Sequence, residues 1–395
     1  MLARSRPDER LVLQVGPNEV TRVLILWADN SAANYGLRVL AAANELLVAE
    51  AFRDHTVQVE CQDFGPGDSK TSFGTKSIIR NIIKQNGPID TKLRGYDLVV
   101  DTGAGDSFAD IYGLKRLSFI VYAHSRIKRL SIPLVMAPQT IGPFETRLGR
   151  FFARRSLRYA ELVVARDSES EKYCRHLGRV PDLTATDVVF GLPAHSGQSE
   201  KLYDVILNIS GLLWFADEHG DSRKYITESM ALVKQLRLRG RRVTVLPHVN
   251  YSQSGNDDID ASKELVKRLA ESDIHDVAIY VPEDLSAART VISGANVVIG
   301  ARMHACLNAL SLGTPTIPWA YSRKFVPLLN DLGWRYVIDL KQDVSPAMST
   351  IQLLADMEGG QSSEIELLRK RAEDLLHQYV SLLSETIVQA PDVCR

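Results

Sequence analysis

"ANVVIGARMHACLNALSLGTPTIPWAYSRKF", residues 295–325, contains an apolar strand at 296–300, a small-residue helix at 303–312 and a second apolar strand at 314–320. Two such strands joined by a helix bury both of their faces, which implies a parallel sheet covered by helices on each side. Each strand delivers basic groups at its end: Arg302 and His304 after the first, Arg323 and Lys324 after the second. Arg302 and His304 fall at the start of the intervening helix, where exposed backbone N–H groups and the positive dipole end favour an anion. Arg302 offers a planar fork for carboxylate or phosphate. His304 carries an imidazole, a group suited to passing a proton. The competing architectural reading is a salt-bridged arginine and a helix-capping histidine. Arg323 and Lys324 at the adjoining strand end favour a site for a doubly or triply negative ligand.

The same alternation continues outward. Strands read at 204–210, 242–248 and 277–283 are separated by helices near 221–240, 258–273 and 285–294. Gly, Pro, Ser and charged residues cluster at 190–204, which reads as a linker. Before it, strands are expected at 21–29, 56–62, 96–103, 132–139 and 160–167, with a helix rich in Arg and Leu at 146–159. Two Rossmann-like α/β domains facing a cleft follow from this pattern. A flexible extension is expected over 1–20, the domains over 21–195 and 196–342, and helices over 343–395 that pack back across them. The tail 363–388 reads as one long amphipathic helix.

Composition narrows the function. The 395 residues include 47 basic and 48 acidic side chains, for a formal net charge of −1, so any anion site must be local and bulk nucleic-acid binding is not expected. Cys61, Cys174, Cys306 and Cys394 are scattered and form no C-x-x-C pair, which argues against a zinc site or disulfide framework and for a reducing cytoplasm. Neither a signal-peptide core nor an integral membrane segment is visible, and a peripheral place on the inner face of a membrane stays open. There is no H-E-x-x-H, G-x-S-x-G, P-loop or strand-flanked D-x-D. An anionic substrate would then be neutralised by Arg, Lys, His and backbone amides, with neither metal nor cofactor expected.

Ligands of open α/β sheets bind beyond the carboxyl ends of the strands, which singles out further residues. The stretch "DTGAGDSFADIYG" (101–113) holds half of a G-x-G-x-x-G pattern at Gly103 and Gly105, with Phe108 where the third glycine belongs. It reads as a close-approach loop, with Asp106 facing a polar ligand or capping a helix. Arg166 beside Asp167 either makes an architectural pair or aims across the cleft at an anion. His248 closes another strand.

These stretches together resemble the polysaccharide pyruvyl transferase family. The resemblance is carried by 103–113, 138–170, 186–193 and above all 297–325, with its R-x-H, "LGTP" and Y-x-x-K elements in order. It implies a glycosyltransferase-B-like architecture, with the acceptor on the first domain and the donor on the second. It also implies phosphoenolpyruvate as co-substrate and ketal formation on a sugar or oligosaccharide, polymeric or lipid-linked. Arg302 and His304 come over as catalytic residues, and Arg302, Lys324 and Arg166 as donor-binding ones; Arg323 joins the donor-binding set by adjacency to Lys324, and His248 by its place at a strand end. On the acceptor side stand Asp106 and Asn34, although "NYGL" (34–37) has Leu37 where the family often carries an acid. A nucleotide-sugar glycosyltransferase, with Glu283 as a weak nucleotide-binding candidate, and a non-catalytic relative are the rival readings. Oligomeric state is not indicated.

Overall fold

The computed structural model describes residues 13–15, 20–65, 71–84, 86–194, 200–251, 257–357 and 360–389. Its contacts divide into two compact units. The first takes the chain up to Asn30, Leu40–Gly191 and the chain from Asp374; the second takes Ser31–Val39 and Leu192–Glu373.

The first unit contains strands β1 (Leu13–Val15), β2 (Thr21–Leu26), β3 (Val57–Gln62), β4 (Leu98–Asp101), β5 (Leu134–Gln139), β6 (Leu162–Ala165) and β7 (Leu183–Thr184). Between them run helices α1 (Tyr35–Ala51), whose residues up to Val39 belong to the second unit, α2 (Thr75–Ile83), α3 (Pro88–Leu93), α4 (Leu114–Arg129), α5 (Arg147–Tyr159) and α6 (Ser168–His176). Six strands form a parallel sheet in the order β3-β2-β4-β5-β6-β7. Every residue of β4, β5 and β6 is buried, which is why these segments read as unbroken apolar runs. On one face Leu24, Val99, Met136 and Val163 pack in a cluster with Ile120, Ala123 and Ile127 of α4 and Leu157 of α5.

The second unit contains β8 (Tyr203–Asn208), β9 (Val243–Val245), β10 (Val277–Ile279), β11 (Ala295–Gly300), β12 (Thr316–Ala320) and β13 (Ile338–Asp339). Its helices are α7 (Gly211–Phe215), α8 (Ser222–Leu238), α9 (Asp258–Glu271), α10 (Leu285–Ser293), α11 (Met303–Ser311), α12 (Phe325–Leu332) and α13 (Pro346–Asp356). The strands pair in parallel in the order β10-β9-β8-β11-β12-β13, the doubly wound order of dinucleotide-binding folds. That places a topological switch point between β8 and β11.

The long C-terminal helix α14 (Ser362–Ser384) stops before the expected end of the tail, and Ile387–Gln389 forms β14, pairing in parallel with β1. Thr386, Ile387 and Val388 are β-branched and suit an extended partner better than a helix. Leu13–Val15 thus has strand structure inside the segment read as a flexible extension. Residues 1–12 and 16–19 of that segment, and 195–199 of the expected linker, lie outside the described residues.

Candidate active site

At the switch point of the second unit, Asn208 ends β8 opposite Gly300, the end of β11. The Asn208 amide donates to the Leu246 carbonyl at 3.0 Å, while its oxygen accepts the Arg302 backbone N–H at 2.9 Å. Arg302 is the capping residue of α11. Its guanidinium forks onto the carboxylate of Asp258, with Nη2 at 2.7 Å and Nε at 3.1 Å from Oδ1. Asp258 is fully buried, and its two oxygens also accept backbone N–H groups from Gly211 at 2.9 Å, His248 at 3.1 Å and Val249 at 3.0 Å. Burial alone would weaken the charge on Arg302, but the Asp258 carboxylate outweighs it and holds the guanidinium firmly protonated. Sequence reading missed Asp258. Its signal was the second acid of "DDID" at a helix start, where a carboxylate is ordinary and draws no notice.

His248 adjoins this pair and is 1% exposed. Its ring stands edge-on to Tyr35 with centroids 5.5 Å apart, and its buried Nε2 has no hydrogen-bond partner. Burial, then His304 and then Arg302 push its pKa down to about 3. His248 is therefore a neutral imidazole at physiological pH and contributes a ring nitrogen rather than a charge. The Tyr35 N–H donates to the His248 carbonyl at 3.2 Å, and Asn34 bridges Val249. Asn34, assigned from sequence to the first domain, thus packs with the second unit; its side chain accepts the Gly36 N–H at 2.9 Å. A Cβ placed on Gly36 would fall 2.7 Å from His304 Nδ1, so only glycine lets the start of α1 come this close to the half-buried His304.

Lys324, half-buried, caps α12, and Arg323 before it is exposed. Nearby stands His219, a half-buried loop residue that sequence reading passed over because nothing distinguishes "DEHGD" from a solvated turn. Its pKa is lowered by burial, opposed by Glu218, and lowered further by Lys324, Lys341 and Arg302, which places it within the field of three cations. Its ring lies edge-on to Tyr321 at 6.0 Å. Both line a cavity of about 410 Å³ whose walls include Lys224, Tyr225 and Lys341, with acids at Glu218, Asp221 and Glu228.

The first unit holds the other two candidates. Gly103, Ala104 and Gly105 turn in the left-handed region, with φ of 55°, 48° and 82°. A Cβ on Gly103 would sit 1.8 Å from the Gln139 amide oxygen, so this turn requires glycine. Beneath it the buried Asp101 accepts from Trp27 Nε1 at 2.6 Å and from the Gly103 N–H at 2.7 Å, and lies 2.7 Å from His124 Nε2. Arg166 is 1% exposed; its guanidinium contacts Asp187 at 3.0 Å and the Thr140 hydroxyl, and lies under Gly105. Asp106 is half-buried and accepts the Tyr112 hydroxyl at 2.8 Å. Arg302, His304, His248, Asn34 and Lys324 accordingly share the second unit, while Arg166 and Asp106 share the first.

A model of the polysaccharide pyruvyl transferase family matches residues 46–323. The chain belongs to this family. None of the curated proteins compared with it matches. Among solved structures, it is similar to HepE from Anabaena in complex with UDP (TM-score 0.52, 11% identity, covering 92% of this chain and 97% of that one). It is also similar to a UDP-GlcNAc 2-epimerase from Neisseria meningitidis bound to UDP-GlcNAc (0.55, 12%, 93% and 99%). A third is sucrose-phosphate synthase from Thermosynechococcus elongatus (0.54, 12%, 92% and 96%). At these identities the likeness is one of fold. It gives this polysaccharide pyruvyl transferase family member a glycosyltransferase-B-like fold, one shared by glycosyltransferases and epimerases, while the family itself is one of transferases.

Proposed function

We propose that the protein transfers pyruvate from phosphoenolpyruvate to two hydroxyls of a sugar in a polysaccharide or its precursor, closing a ketal and releasing phosphate. The observation that supports this reading most is Arg302, a guanidinium fixed by a buried carboxylate at the switch point, with His304 and Lys324 in the same unit. Asp258 balances the charge of Arg302 and fixes its orientation, so the donor's carboxylate and phosphate would draw on its directed N–H groups and on the charges of Lys324 and Arg323. In this scheme Arg302 and Lys324 hold the donor's anionic groups. Exposed Arg323 strengthens the field, and neutral His248 offers an N–H. Arg166 supports the Gly103–Gly105 loop, whose neighbour Asp106 is an acceptor-binding residue of the first unit; Asn34 is one of the second.

His304 acts as general acid. Its proton goes to the donor methylene, which becomes a methyl group as positive character develops at the central carbon. One sugar hydroxyl bonds there and gives its proton to the imidazole of His304, restoring the acid; a second then bonds to the same carbon as the carbon–oxygen bond to phosphate breaks, and its proton leaves with the phosphate. Each assisted proton transfer is worth roughly 10²–10⁴ in rate.

Calorimetric titration of phosphoenolpyruvate into the wild type, Lys324→Ala and Arg302→Lys, with UDP-glucose as competitor and no added divalent metal, tests the reading. Binding that weakens in both variants and is untouched by UDP-glucose is the expected result. Binding of UDP-glucose with none of phosphoenolpyruvate would overturn it in favour of a nucleotide-sugar glycosyltransferase, the ligand class named for HepE and the epimerase.

A further inference from the structure

Helices α2, α4 and α5 of the first unit contain twelve Lys or Arg residues and no Asp or Glu, in a chain whose formal net charge is −1. The three lie side by side, α2 against α4 and α4 against α5, so the charge of all but Arg126, which pairs with Asp90 of α3, accumulates on one helical layer. Arg150 and Arg154 donate to backbone carbonyls and Arg155 to the Tyr159 hydroxyl, contacts that leave their positive charge uncompensated.

Large apolar side chains stand exposed among these cations. Leu148 and Phe151 project from α5, the latter 55% exposed, Ile111 and Tyr112 from the loop entering α4, and Leu114 from the first turn of α4. The two segments are pinned together by Asp110, whose carboxylate accepts the Glu145 N–H at 2.8 Å and both the N–H and hydroxyl of Thr146 at 2.8 and 2.7 Å. On α2, Ile79, Ile82 and Ile83 point outward between Lys76, Arg80 and Lys84.

We propose that this layer docks the protein on an anionic membrane surface, with Leu148 and Phe151 entering the headgroup boundary and the flanking Lys and Arg pairing with lipid phosphates. Charge complementarity selects the occupant. Projecting aliphatic and aromatic tips in a field dominated by exposed Lys and Arg, with Glu145 the acid among them, match an interface that is apolar below and negative above. Among the described residues no helix is long and apolar enough to cross a membrane, so attachment would be peripheral. Tyr112, in the docking loop, donates its hydroxyl to Asp106, which links this surface to the glycine-turn end of the sheet. The inference stands whichever reaction the protein catalyses.

The test is co-sedimentation of the full chain with vesicles of phosphatidylcholine alone and of phosphatidylcholine mixed with phosphatidylglycerol. Wild type is compared with Lys115→Glu/Arg147→Glu/Arg158→Glu and with Leu148→Ser/Phe151→Ser. All five positions are exposed, and a thermal melt checks that each variant folds. Binding restricted to the phosphatidylglycerol vesicles, weakened roughly ten-fold or more by the charge reversals and reduced by the serine pair, is expected. Equal binding to both vesicle types, no binding to either, or binding unchanged in both variants overturns the proposal. So does a concentration-dependent dimer abolished by the same substitutions, which would assign the face to a second copy of the chain.

Discussion

Replacing Asp258 with Asn preserves its shape and removes its charge. Both carboxylate oxygens accept only: Oδ1 from the Gly211 N–H and Arg302 Nη2, Oδ2 from the N–H groups of His248 and Val249. Whichever way the new amide turns, its NH₂ meets two donors, and Arg302 is left without its counter-charge. Removing one member of a buried ion pair costs about 3–5 kcal/mol, and the misdirected amide adds roughly 1–3 kcal/mol for the backbone donors it strands. The second unit is therefore expected to lose at least about 3 kcal/mol. Tryptophan fluorescence during urea unfolding reads that unit selectively, because Trp214, Trp319 and Trp334 lie there and only Trp27 lies in the first. Arg302→Met combined with Asp258→Asn should recover part of the loss, since neither partner then carries an unpaired charge. A single Asp258→Asn variant within about 1 kcal/mol of wild type, and with phosphoenolpyruvate affinity intact, would refute the claim that Asp258 fixes Arg302.

Two further outcomes follow from the same neighbourhood. Gly36→Ala lies in a helix and gains roughly 0.5–1 kcal/mol of helical preference, but its Cβ must displace a ring nitrogen 2.7 Å away. Stability should stay within about 1–2 kcal/mol of wild type while turnover falls on the order of 10²-fold, as expected for a shifted catalytic group; unchanged turnover counts against His304 at the reacting centre. His248 has a folded pKa near 3 against a usual value near 6.5, so its contribution is fully present above the usual value and lost as pH falls towards the folded one. Between about pH 6 and 4 the wild type should lose up to roughly 1.4 kcal/mol per pH unit more than His248→Asn, measured by urea unfolding at each pH; parallel slopes would mean that His248 is not held neutral.

Much of this protein was legible in the chain. The apolar strands at 296–300 and 314–320 with a helix between them define a parallel, doubly covered sheet, because each strand carries its burial pattern in its own residues. Arg302, His304 and Lys324 were legible as candidates for the same reason: they follow directly on strands or open helices. β7 and β13 are too short for any periodicity, and β14 is a strand because β1 lies beside it, a partner hundreds of residues away in sequence. Tertiary structure alone decided that Asp258 grips Arg302, that His248 stays neutral, that Asn34 and Gly36 stand with His304, and that Arg166 is spent on Asp187. Each of these depends on distance and desolvation between segments far apart in the chain. Local sequence encodes which groups reach a strand end; only the packed fold fixes which charge each of them meets and how much water remains.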